Sequence, residues 1–150
     1  MLAPQYYFMI RFFPKEDEEK IIDAIQQAEL NTSGEIRVHL EDKLKGEALP
    51  AAVKTFQRLQ MHKTEARNGV LIFIAPEQRK FAIIGDKGIN EKVPQNFWQD
   101  ERDLMAQHFK QGEYTAGVCA VIQQIGEKLK EYFPYQSDDE NELPDDISYS

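Results

Sequence analysis

The sequence predicts an α/β fold, a three-layer αβα sandwich with a central mixed β-sheet flanked by helices. Three observations lead there. Glu35 to Leu40 alternates, with Ile36, Val38 and Leu40 on one side and Arg37 and His39 on the other, the mark of a half-buried strand. Val70 to Ala75 is an unbroken apolar run, too short for a buried helix and suited to a central strand covered on both faces. Around these lie segments whose apolar residues recur at helical spacing. The clearest is Tyr114 to Phe133, with Val118, Val121, Ile122, Ile125 and Leu129 on one stripe.

The elements follow in order. Pro14 to about Asn31 reads as a helix: Pro14 suits a first turn, and Glu16 to Glu19 suit the positive end of the helix dipole. Asn31-Thr32-Ser33-Gly34 breaks it before the first strand. A second helix is expected over Leu49 to Met61. Asn68-Gly69 opens the apolar strand, Pro76-Glu77-Gln78 turns the chain, and Arg79 to Ile84 returns antiparallel. Gly85-Asp86-Lys87-Gly88 reads as a loop. Helices over Pro94 to Phe109 and Tyr114 to Phe133 complete the domain, and Pro134 stops the last. A strand–helix–strand unit favours a parallel first pair. The organisation is an aromatic arm over residues 1–13, an α/β domain over 14–134 and an acidic flexible tail over 135–150.

Composition narrows the function. At 150 residues, 41% of them hydrophobic and 29% charged, the chain has the balance of one globular domain. A net charge of −8 argues against nucleic acid, whose phosphates need basic side chains. Cys119 is the one cysteine, so no internal disulfide forms, and a reducing cytoplasmic setting fits. Its place in an apolar helical pattern makes it core filling. The apolar start, Met1 to Phe13, lacks a basic leading region, is interrupted by Pro4 and has no small-residue cleavage site. It reads as an arm lying on the domain, without membrane insertion.

The topology locates a candidate site. With the first two strands parallel and the third returning, Thr32, Ser33 and Glu35 meet Asn68 and Gly69, then Gly85, Asp86 and Gly88, at one end of the sheet. Glu35 and Asp86 offer carboxylates and Asn68 an amide oxygen, a donor set suited to Ca²⁺ or Mg²⁺. The same residues also suit plainer roles, because Asp86 between glycines fits a turn and Thr32 and Ser33 can cap backbone groups. Glu41, Asp42 and Glu77 form a second acidic group at the opposite edge. Other chemistries lack their signatures. The glycine spacing is not that of a phosphate-binding loop. His39, His62 and His108 are scattered, and His39 is expected on the solvent side of its strand. Asp138-Asp139-Glu140-Asn141-Glu142 lacks the spacing of a calcium-binding EF-hand loop.

Several segments together resemble a known family. They are Ala24-Ile25-Gln26-Gln27-Ala28-Glu29 leading into Asn31-Thr32-Ser33-Gly34-Glu35-Ile36-Arg37-Val38-His39; Arg67-Asn68-Gly69-Val70-Leu71-Ile72-Phe73-Ile74-Ala75; Gly85-Asp86-Lys87-Gly88-Ile89-Asn90; Phe97-Trp98; and a last helix after Phe109-Lys110-Gln111-Gly112-Glu113-Tyr114 with Gly117. In order and spacing, across residues 15 to 134, the chain resembles the TPM-domain family, named for a thylakoid lumen protein, a photosystem repair protein and a receptor-modulating membrane protein. It looks like the short, soluble bacterial type. The resemblance implies a mixed sheet between helix layers, divalent-cation binding, and the phosphatase activity reported for some members. Longer members carry Gly-Tyr-Gly-Leu-Glu where this chain has Gly85 to Asn90, followed by an Asp-Ala pair that opens a helix. Here the later position falls near Pro94-Gln95-Asn96, so that acid is missing and Asp86 is gained. Two functions stand side by side: a Ca²⁺- or Mg²⁺-binding domain using Glu35, Asn68 and Asp86, with phosphomonoester hydrolysis as its extension, and a non-catalytic module that engages a protein partner, a membrane-associated one among the candidates, through the arm or the tail.

Overall fold

The computed structural model describes residues 12–135 and 145–150; most of the aromatic arm and the middle of the acidic tail lie outside them. The elements are α1 (Lys15–Glu29), β1 (Glu35–Leu40), α2 (Ala48–Arg58), a 3₁₀ turn (Met61–Lys63), β2 (Gly69–Ala75), β3 (Lys80–Gly85), α3 (Lys87–Asn90), α4 (Phe97–Lys110), α5 (Tyr114–Tyr132) and β4 (Ser148–Tyr149). The sheet order is β3-β2-β1-β4. β1 and β2 run parallel, with Glu35 opposite Gly69. β3 returns antiparallel, with Val70 opposite Gly85.

Strand alternation splits the core into two layers. Ile36, Val38, Leu40, Val70, Ile72 and Ile74 pack with Ile21, Ile25, Met105, Val121, Ile122 and Ile125 of α1, α4 and α5. Leu71, Phe73 and Ala75 face the other way, against Ala52 and Phe56 of α2. Every residue of β2 is buried, which explains why its sequence carries no alternation. α1 and α5 approach closely at Gly126, where an added Cβ would lie 2.6 Å from that of Ala28. Cys119 is half-buried against the main layer, as core filling requires. Phe13, at the end of the aromatic arm, is fully buried there too.

Lys87 and Gly88, expected within a loop, instead open α3. Two further expectations are corrected. The chain end, read as part of a flexible tail, lies on the sheet over residues 145–150. β4 pairs parallel with β1 at His39 and Leu40. Ile147 enters the core, and Tyr149 Oη donates to Glu18 Oε2 at 2.9 Å. Apolar Ile147 and Tyr149 sit among acids and serines, so averaged composition hides a short docking segment.

The second correction is His39, which is fully buried rather than facing solvent. Its ring stacks on Phe73 with centroids 5.6 Å apart. Nδ1 meets Ser148 Oγ and Nε2 meets Ser150 Oγ, each at 2.7 Å. The docked C-terminus covers this ring and satisfies both of its nitrogens, which removes the penalty of burying them.

Candidate functional site

The end of the sheet where β1 and β2 begin gathers the segments that the topology predicted. Glu35 N–H donates to Asn68 O at 3.5 Å, and Asp86 N–H donates to Gly69 O at 2.9 Å. Glu35 thus stands opposite Gly69, and Asp86 follows directly on the end of β3 beside it. Their backbones converge, while the side chains of Asn68 and Asp86 turn to different partners, Ser33 and Arg67.

Asp86 is a clip between two loops. Arg67 grips it with Nε to Oδ2 at 2.7 Å and Nη2 to Oδ1 at 2.9 Å. Oδ1 also accepts from Lys87 N–H at 2.8 Å, capping α3. Gly88 N–H donates to Arg67 O at 2.8 Å, and an added Cβ at Gly88 would lie 2.2 Å from Ala66 O. Both Asp86 oxygens are therefore engaged by a guanidinium, whose forked geometry matches a carboxylate. Arg67 was the neighbour that sequence reasoning passed over.

Asn68 is buried, with its Nδ2 donating to Ser33 Oγ at 3.2 Å and its backbone N–H to Thr64 Oγ1 at 3.3 Å. Thr32 Oγ1 donates to Leu129 O at 2.9 Å and accepts from Gly34 N–H at 3.0 Å, so it ties this loop to α5. Glu35 is buried as well and borders a cavity of about 370 Å³ that also takes in Glu29, Thr32, Ser33 and Asp145.

Glu29 completes this acidic cleft. Its Oε2 accepts from Ile36 N–H at 2.9 Å, on the edge of β1 that β4 does not reach. Burial, with a hydrogen bond to Asp145, pushes its carboxyl up to about 9, and Glu35 adds repulsion. Glu29 is therefore protonated at neutral pH. Sequence reasoning missed Glu29 and Asp145 as site residues. One signal was available: an acid closing a helix whose last turn holds no basic residue opposes the helix dipole, so it needs a local reason to be there. The cleft offers only oxygen donors, the set that hard cations prefer. As the side chains stand, no group of three or more acids, histidines or cysteines among the described residues is arranged to hold a metal. No described helix is long and apolar enough to cross a membrane.

The TPM-domain family model matches residues 9–128, most of the chain and all of the sheet strands but β4. The chain belongs to the TPM-domain family. Among solved structures, this TPM domain is similar to the BA42 protein of the psychrophilic bacterium Bizionia argentinensis. The two share 45% identity at a TM-score of 0.85, over 93% of this chain and 96% of that one. It shares the fold of the N-terminal domain of the cg2496 protein of Corynebacterium glutamicum, at 16% identity and a TM-score of 0.63, over 85% of this chain and 79% of that one. The N-terminal domain of a protein from P. gingivalis matches at 16% identity and a TM-score of 0.64, over 83% of each chain. No curated protein matches the sequence.

Proposed function

We propose that this TPM domain binds a divalent cation, Ca²⁺ or Mg²⁺, in the cleft at the start of β1, with Glu29 and Glu35 as principal carboxylates. The observation that carries the reading is the oxygen-lined cavity between the end of α1, the start of β1 and Asp145. Asn68 does not line this cavity and supports it from behind, its Nδ2 donating to Ser33 Oγ. Asp86 acts as the clip that holds the loop before β2, not as a ligand. An ion would draw the carboxyls together and replace the proton that Glu29 holds at neutral pH, so affinity rises with pH.

Phosphomonoester hydrolysis is the enzymatic extension. A bound cation orients phosphate oxygens and lowers the pKa of a bound water. Thr32 and Ser33 also border the cavity.

Calorimetric titration of metal-stripped protein with Ca²⁺ tests the reading. Saturable binding that tightens from mildly acidic to mildly alkaline buffer supports it, and the absence of saturable heat rejects it.

A second reading, an interaction module without catalysis, draws on the outer edge of β3. Exposed Leu49 and Val53 stand beside that edge over a cavity of about 410 Å³ that also takes in Trp98. Replacing both with Asp should abolish recovery of a specific partner; unchanged recovery would remove this surface from consideration.

A further inference from the structure

At the far end of the sheet, away from the acidic cleft, a cavity of about 640 Å³ opens beside the end of β2 and the turn into β3. Ligand pockets in proteins commonly span ~300–1,000 Å³. One wall is a run of aromatic rings. Phe12 meets Tyr114 with centroids 5.1 Å apart, Tyr114 meets Phe109 at 5.3 Å, and Phe109 meets Phe81 at 5.5 Å. The rim is cationic. Arg79, Lys80 and Lys110 border the cavity, and none of the described lining residues is acidic, in a chain of net charge −8. Lys80 is committed to Gly46 O at 3.2 Å and Glu47 Oε1 at 3.6 Å. Arg79 and Lys110 take part in no ion pair among the described residues.

Position reinforces this chemistry. Arg79 closes the turn, its N–H donating to Pro76 O at 3.1 Å, and holds a left-handed φ of 54°. Such a conformation is uncommon for a residue with a side chain. Tyr114 is both a wall residue and the first residue of the long helix α5, so the positive end of that helix lies at the cavity. An apolar aromatic wall, two cations with no ion-pair partner among the described residues and a helix N-terminus together select a molecule with an apolar body and one negative head.

We propose that this cavity binds a small amphipathic carboxylate, with its alkyl or aromatic body on the Phe81–Phe109–Tyr114 wall and its head group between Arg79 and Lys110. The site is separate from the cation cleft and stands whether or not that cleft binds metal.

The test is titration of the ¹⁵N-labelled full chain with octanoate, and with 1-octanol as the uncharged counterpart. Saturable amide shifts centred on Phe81, Phe109, Lys110 and Tyr114 are expected, with 1-octanol several-fold weaker. Arg79 and Lys110 are exposed. The double variant Arg79→Ala/Lys110→Ala therefore stays folded, and it should weaken octanoate by about fivefold or more while leaving 1-octanol unchanged. No saturable shifts, shifts scattered over the surface, equal binding of the two probes, or indifference of octanoate to the double variant would each overturn the proposal.

Discussion

Arg67 and Asp86 form a two-pronged ion pair, with contacts of 2.7 and 2.9 Å, that joins the loop entering β2 to the turn leaving β3. Asp86 is 7% exposed and Arg67 lies on its open side. The pair thus closes the end of the sheet beside the acidic cleft and withdraws one carboxylate from it. Arg67→Ala leaves a buried carboxylate with only the Lys87 N–H as partner. It should lower the thermal midpoint more than Arg58→Ala, whose guanidinium bonds an exposed Ser150 hydroxyl. Paired melting curves check this, and equal midpoints would argue against a structural clip.

The same junction makes Gly88 irreplaceable. A Cβ there would lie 2.2 Å from Ala66 O and 2.6 Å from Arg67 O, both backbone atoms that cannot step aside. Gly88→Ala should destabilise the fold by about 1–3 kcal/mol, the range for forcing an extra methyl into a packed site. Urea unfolding measures it.

Glu101 gives a pH signature. It is buried on α4, and with its amide turned to donate, Gln124 of α5 reaches Oε1 at 3.2 Å. Burial, aided by Asp100 and Glu127, pushes its carboxyl from 4.5 up to about 7. The folded state therefore holds the proton more tightly than the unfolded chain. This group's contribution is complete below 4.5 and is lost as pH rises to about 7. Glu101→Gln should stabilise the protein in mildly alkaline buffer and have little effect in acid. Melting curves across that range read it directly.

His39 works in the opposite direction. Burial lowers its pKa, partly offset by Glu41, while Arg58 and Arg37 also disfavour the charged ring. Its contribution is present above the ordinary value of 6.5, begins to fall below it, and is gone once pH passes the depressed folded value. The ring contacts Ser148 and Ser150, so β4 should be the part that loosens first. Amide protection at Ser148 to Ser150, corrected for the intrinsic pH dependence of exchange, should fall on acidification in the wild type. The dependence should be absent in His39→Gln.

How far the sequence could be read depended on the range of the interactions involved. The strand at Glu35 to Leu40 carries its own alternation, and α5 its own stripe, so both appear at almost the expected bounds. The meeting of Glu35, Asn68 and Asp86 at one sheet end followed from strand order alone. Their side-chain partners did not. Arg67 reaches Asp86 across nineteen positions and Ser148 reaches His39 across 109, and no local pattern encodes either contact. The guanidinium that holds Asp86 was invisible in the local pattern, and His39 looked exposed because its cover comes from the chain end.

The most direct measurement is calcium titration by calorimetry on the wild type, Glu29→Gln and Asp86→Asn, each confirmed folded. The cleft account predicts saturable binding by the wild type, affinity within about twofold for Asp86→Asn, and a loss of about tenfold or more for Glu29→Gln, the scale of losing one carboxylate ligand. Binding abolished by Asp86→Asn and untouched by Glu29→Gln would contradict it and return the ion to the Glu35–Asn68–Asp86 edge.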